Sequence, residues 1–287
     1  MRLSVQRRSH FSISSVILLA VIIVGGFAST AVAHEFWIEP STFHIASSEL
    51  IFVRLKAGEH FDGRSQPRNP RNINSFSIWH SGTAQHLNGS PGDKPAGYVL
   101  LPESGFYLLS YHSHPSKIFL DANRFEAYLK EEGLESILKL RADRQQSARP
   151  GRERFARCAK SLIVAGDGIV DGFDTVLDLP LEVLPMRNPQ LLRAGDILPV
   201  RILYEGKPLS SVLVHGRNIV EPRNSVSTRT DAEGCADIKL NRHAVWMISC
   251  VQMTEAEDDS DVDWQSLWAS LTFQIGSSPS EVAKSLR

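Results

Sequence analysis

The chain has 287 residues, 42% of them hydrophobic, with 31 Lys and Arg against 32 Asp and Glu and a formal charge of −1. That is enough apolar material for one large or two ordinary domains, and the charge is too evenly balanced for the basic stripe that nucleic-acid binding needs. Three cysteines are too few for a disulfide scaffold.

The first 33 residues read as an export signal. Arg2, Arg7 and Arg8 precede an unbroken apolar run over 16–28, and Ala31-Val32-Ala33 is an A-x-A cleavage site. Cutting after Ala33 makes His34 the first mature residue and takes the formal charge from −1 to −4. A terminal histidine carries an α-amine and an imidazole on one residue and can chelate a metal with both. Cutting after Ala31 instead makes His34 the third residue, where the amine, two backbone amides and the imidazole form a square of four nitrogens. Both frames suit Cu(II) or Ni(II). Left uncut, residues 16–33 are just long enough to anchor the chain in a membrane. The expected location is periplasmic or secreted, with membrane attachment only if the signal stays on.

From residue 34 to about 116 the pattern is short strands separated by Gly, Pro, Asn and Ser clusters, which predicts a sandwich. The period then changes. Asp121 caps a predicted helix with Phe125, Tyr128 and Leu129 on one face, stopped near Gly133. A second helix carries Leu134, Ile137, Leu138 and Arg141. Residues 152–164 predict a third, with Phe155, Ala159, Leu162 and Ile163 at helical spacing and a basic polar face. Residues 179–184 read as a strand returning to the first sheet, and 185–195 as a linker. A second run of strands follows, with residues 236–240 and 245–251 expected as a hairpin. Cys235 and Cys250 would face each other across it, either bridged or as two free thiols.

The expectation is therefore a mainly β chain of two β-sandwich domains, immunoglobulin- or transthyretin-like. The first spans 34–185 with a helical insertion at about 121–164, the second spans 186–276, and 277–287 is a flexible tail.

The candidate chemistry is metal binding. Alternating strand directions bring the start of the His34 strand, the end of the strand carrying His60 and the end of the strand carrying His112 and His114 to one rim. His34, His60, His112 and His114 are the candidate ligands, for Cu or Ni, with Zn also possible; the resemblance described below adds Co. The acidic run at 255–263 lacks the glycine and closing glutamate of a calcium loop and reads as a solvated connection. The chain holds no G-x-S-x-G, H-E-x-x-H, P-loop or paired C-x-x-C motif, so no enzyme is expected. Two alternatives stay open: a non-catalytic structural or protein-binding module of the cell envelope, and a copper oxidative enzyme using an N-terminal histidine.

The run His34-Glu35-Phe36-Trp37-Ile38-Glu39-Pro40 directly after a signal peptide resembles the opening of a secreted domain-of-unknown-function family. That family is related to the periplasmic component of nickel/cobalt uptake systems. Phe125-Glu126-Ala127-Tyr128-Leu129, Gly151-Arg152-Glu153-Arg154-Phe155, Tyr204-Glu205-Gly206-Lys207-Pro208-Leu209 and the segment 264–273 follow in the same order. The resemblance implies a periplasmic β-sandwich protein with a nickel- or cobalt-linked role and an envelope transporter as partner. It carries over only His34 as a ligand. The chain departs from the family pattern at Gln252, where histidine is expected, and at Cys158, where an aromatic residue is expected.

Overall fold

The computed structural model describes residues 35–275 apart from Ser47, 167–170 and 258–260, so His34 and the expected signal segment lie outside the described residues. In chain order the strands are β1 (Glu35–Pro40), β2 (His44–Ile45), β3 (Glu49–Glu59), β4 (Asp62–Gln66), β5 (Ile73–His80) and β6 (Thr83–His86). They continue with β7 (Gly97–Leu101), β8 (Gly105–Ser113), β9 (Ser116–Leu120), then helices α1 (Ala122–Glu131) and α2 (Glu135–Asp143), then β10 (Gly151–Ala165), β11 (Leu181–Pro185) and β12 (Ile197–Tyr204). The last are β13 (Lys207–Pro208), β14 (Leu213–Asn218), β15 (Val226–Arg229), β16 (Cys235–Lys239), β17 (Val245–Glu255) and β18 (Trp264–Gln274). The fold is mainly β, as the composition and turn spacing predict.

Three sheets form. A ten-stranded sheet runs in the order β15-β14-β17-β18-β10-β8-β5-β6, with β2 and β9 also on β10. One four-stranded sheet holds β1, β3, β4 and β7, and another holds β11, β12, β13 and β16. Alternation along β10 shows how they stack. Cys158, Leu162 and Val164 share a core with Leu181, Val200 and Ile238 of the β11–β12–β16 sheet. Ala159, Ile163 and Ala165 point the other way, into a core with Ile38, Val53 and Leu101 of the β1–β3–β7 sheet. The large sheet is thus a middle layer covered on both faces, with α1 and α2 beside the β1–β3 sheet on one of them. There Phe125, Tyr128 and Leu129 of α1 pack on Trp264, Trp268, Val251 and Met253.

The predicted helix over 152–164 is corrected by this arrangement. The segment is β10, paired parallel to β18 over Glu153–Ser161 and antiparallel to β8 and β9. A strand covered on both faces is apolar on both, which erases the alternation that marks a half-buried strand and leaves spacings that match a helix by coincidence. Gly151 opens the strand because a Cβ there would stand 2.2 Å from the Phe125 ring. The first two helices form as expected. The Asp121 carboxylate accepts from Arg124 N–H, and Gly133 at φ +66° closes α1 with Leu134 N–H bonded to Leu129 C=O.

Two further expectations change. Residues 181–185 do not return to the first sheet but pair with β12. The segments 236–240 and 245–251 do not form a hairpin. β16 joins β12, while β17 lies between β14 and β18, and the two face each other across the core through Ala236, Ile238, Trp246 and Ile248. Cys235 and Cys250 are consequently free thiols, as is Cys158. The parallel β10–β18 pairing also puts strands from both expected sandwiches into one sheet. Among the described residues no helix is long and apolar enough to cross a membrane.

Candidate functional site

Between the β1–β3 sheet and the C-terminal end of α1 lies a cleft of about 320 Å³, lined by Glu35, Glu59, His60, Arg124, Tyr128, Glu131 and Glu132. Behind it lies β14, whose His215 and Arg217, two residues apart and on the same face, approach the lining residues Glu132 and Glu35.

Each wall places its side chains by local means. β1 pairs antiparallel with β3, setting Glu35 opposite Gly58 and next to the β3–β4 turn. Glu59 and Asp62 close that turn as a pair, leaving His60 (φ +53°) and Phe61 (φ +62°) as its two central residues. Both are left-handed, as a two-residue hairpin requires, but at positions normally filled by Asn-Gly. Such backbone costs about 1–2 kcal/mol per L-residue. It is held by the Phe61 N–H, which donates to Glu35 Oε2 at 2.8 Å, and by Phe61 packing edge-on against Trp37. The strain presents His60 at the cleft, with Nδ1 3.9 Å from Glu131 Oε1. Glu131 and Glu132 sit in the last turn of α1, at the negative end of the helix dipole, where carboxylates are disfavoured.

The interior below the cleft is ionic. Arg217 Nη1 donates to Glu35 Oε1 at 2.6 Å, both side chains buried. Burial pushes the Glu35 carboxyl up, against the opposing pull of Arg217 and the Phe61 N–H. Arg157 is stacked among Phe36, Phe155 and Trp268, and burial lowers it to about 10, so its charge persists at neutral pH. Glu153 is likewise buried. It accepts from Tyr128 Oη at 3.1 Å and from Ser266 Oγ, while its Oε2 has no hydrogen-bond partner.

Glu132 in the cleft wall and His215 behind it are both strongly shifted. Burial, then the nearby Glu35 and Glu131 carboxylates, raise Glu132 to about 8. Burial, then Arg217, lowers His215 to about 4, with the Glu131 carbonyl opposing. His215 Nδ1 bonds Ser227 Oγ at 2.8 Å on β15. Its Nε2 is buried, has the Glu131 carbonyl nearby but no partner in full hydrogen-bond geometry, and lies 3.8 Å from Glu132 Oε2.

Of the candidate ligands, His60 lies in the cleft and His34 lies outside the described residues, one position before Glu35. The β8 end does approach this region, since Tyr111 packs on Phe36 at 4.8 Å. But His112 alternates to the opposite side, bonding Asn74 Nδ2 at 2.9 Å, and His114 is exposed. Burial first, then His114, lowers the His112 imidazole. Among the described residues no three His, Cys, Asp or Glu side chains group as a metal site. Sequence reasoning missed Glu132 and His215. The traces they leave are two acids at a helix C-terminus and a histidine and an arginine two apart on a buried strand.

The match to a known family extends over residues 31–254, from the residues before Glu35 through β14 and most of β17. The chain belongs to the family of the domain of unknown function DUF4198. No curated protein matches it. The matched segment contains every residue of the cleft as well as His215 and Arg217.

Proposed function

We propose that this protein binds one divalent transition-metal ion in the cleft, as an exported envelope accessory that hands nickel, cobalt or copper to a transporter. The observation that carries the reading is the buried, unbonded Nε2 of His215 beside Glu132. At 3.8 Å the pair is too far apart for a hydrogen bond. It is close to the edge of about 3.4 Å that separates two ligands each about 2.1 Å from a tetrahedral metal. A buried polar nitrogen without a partner is costly and calls for a reason. Glu35, Glu59 and Glu131 make the surroundings attractive to a cation.

Two ligands do not make a site, and the described residues offer no third in the same group. The reading takes the remainder from His34, which precedes Glu35 in the sequence. After cleavage at Ala33 it brings an imidazole and an α-amine. A nitrogen-rich set with one carboxylate favours Ni, Co, Cu or Zn over Ca or Mg. Export rests on the basic, apolar and A-x-A segments of residues 1–33, and the transporter on the family resemblance.

The test is intact mass and calorimetry of the exported, metal-stripped protein titrated with Ni(II), Co(II) and Cu(II). One ion should be retained, and both His34→Ala and His215→Ala should weaken it about tenfold or more. The mass also fixes whether the chain starts at Val32 or His34. No uptake at micromolar metal, or uptake indifferent to both variants, removes the reading.

A further inference from the structure

Three loops meet where β11, β14 and β16 end and β12 and β17 begin, and direct hydrogen bonds tie them together. The Gly195 N–H donates to Leu240 C=O at 2.6 Å, and the Leu240 N–H donates to Asp196 C=O at 2.9 Å. Asn218 Nδ2 reaches Asn241 Oδ1 at 3.5 Å, Arg242 pairs with Glu221, and the Ile219 N–H donates to Val245 C=O at 3.0 Å. The buried Asn218 also fixes its own loop, its Oδ1 accepting from the Val220 and Glu221 N–H groups at 3.1 and 2.8 Å. The loops are therefore one built tip, not three separate excursions of the chain.

Two kinds of side chain stand out on it. Leu191, Ile197, Ile219 and Val220 are each between 45% and 56% exposed. Singly such residues are ordinary, but gathered on three joined loops they call for a partner. The same segments, 186–197, 219–224 and 239–243, carry Arg187, Arg193, Arg223, Lys239 and Arg242 against two carboxylates, Asp196 and Glu221. Both carboxylates are engaged, Glu221 by Arg242 and Asp196 by the Arg193 N–H at 2.8 Å. Arg187 donates to Ile197 C=O at 3.1 Å, while Arg193, Arg223 and Lys239 form no ion pair among the described residues. Lys239 lies directly opposite Ile197 across the β12–β16 pair, so cation and apolar side chain are neighbours. The carboxylates Glu35, Glu59, Glu131 and Glu132 gather in the cleft instead, so charge is segregated over the molecule.

We infer that this tip docks on an anionic lipid bilayer, its four apolar side chains entering the interfacial region and its cations meeting the headgroup phosphates. Neither half of the surface is explained alone. Cations by themselves fit any acidic macromolecule, but a solvated polyanion leaves the apolar side chains in water. Four half-exposed apolar residues are in turn a thin core for a stable protein interface, which buries about 800 Å² on each side. Shallow apolar insertion added to headgroup attraction is the combination that holds a protein at a bilayer surface. The inference stands apart from the metal reading, since it uses no residue of the cleft.

Sedimentation of the exported protein with vesicles of phosphatidylglycerol and phosphatidylethanolamine, against vesicles of phosphatidylcholine alone, tests it. The anionic vesicles should carry the protein down and the neutral ones should not. Arg193→Gln, Arg223→Gln and Lys239→Gln should each weaken the binding about fivefold, and salt at about 1 M should release it. Changing Ile219→Ser and Val220→Ser together should weaken it about tenfold or more. In a Val220→Trp protein the indole emission should shift to the blue when anionic vesicles are added. Unchanged thermal unfolding of these loop variants shows that lost binding is not lost folding. His215→Ala should leave lipid binding intact, so failure of either reading is seen independently. No binding to anionic vesicles, equal binding to neutral ones, indifference to the charge changes or an indole that stays in water overturns it. So does a dimer in vesicle-free solution that Ile219→Ser abolishes, which would make the tip a contact between two copies.

Discussion

The large sheet carries two buried ionic groupings, and they differ in how completely they are satisfied. On the face toward β11, Lys160 Nζ bonds Glu182 Oε1 at 2.7 Å and Thr175 C=O at 3.2 Å, while the Leu177 and Leu179 N–H groups donate to the same carboxylate. Both side chains are about 1% exposed. Under the cleft, by contrast, His215 Nε2, Glu153 Oε2 and Arg217 Nε lack partners, and the acids Glu35, Glu132 and Glu153 sit among Arg157 and Arg217. A closed pair in which the ammonium and both carboxylate oxygens are bonded explains itself as structure. An open cluster with leftover atoms beside a cleft needs a further occupant to explain it.

The sharpest test of the closed pair is to break it. Lys160→Met leaves Glu182 buried without its cation and should cost about 3–5 kcal/mol, read from the urea midpoint. Replacing both residues by apolar ones of similar volume should recover most of that loss. If the single change costs less than about 1 kcal/mol, the pair is not the closed unit described.

The open cluster should instead show itself in the pH dependence of the metal-free protein. Glu132, raised from 4.5 to about 8, contributes stability fully below 4.5 and loses it as pH rises toward 8. His215, lowered from 6.5 to about 4, contributes above 6.5 and loses it as pH falls toward 4. The two slopes oppose each other between 4.5 and 6.5, so stability should be nearly level there. It should then fall by about 2 kcal/mol between pH 6.5 and 8, and Glu132→Gln should flatten that fall. Thermal unfolding at pH 5, 6.5 and 8 measures it, and a rise in stability toward pH 8 would contradict the assignment.

Smaller still is the stability effect of His215→Phe. It removes an unbonded buried nitrogen at the loss of one bond to Ser227, and should shift unfolding by about 1 kcal/mol or less while metal uptake drops about tenfold or more. A large destabilisation would make His215 a structural residue and bring the two regions closer in kind. His112→Ala should do least, below about 0.5 kcal/mol and without effect on metal. Loss of metal binding there would restore the β8 end to the site.

Local signals in the chain were legible where one residue type does one job. Asp121 as a cap, Gly133 as a stop and the Phe125–Leu129 face set α1 without help from elsewhere. The antiparallel return that brings the start of β1 to the end of β3 was legible too, and with it His60 beside Glu35. β10 was not, because burial on both faces removes the period by which a strand is recognised. The β3–β4 turn carries His60-Phe61 in left-handed conformations with no Gly or Asn to announce it.

The amino-acid sequence by itself determined the β-rich class and the two helices with their ends. Only the tertiary structure decided which sheet each strand joins, that Cys235 and Cys250 lie in different layers, and that Glu132 and His215 meet. The reason is range. Caps, turns and amphipathic faces act over a few residues and leave their pattern in the chain. The Arg217–Glu35 pair spans 182 residues and exists only because packing places β14 beneath β1 and α1. The low-dielectric surroundings that the packing creates strengthen the attraction between the two ions while their desolvation raises the Glu35 carboxyl.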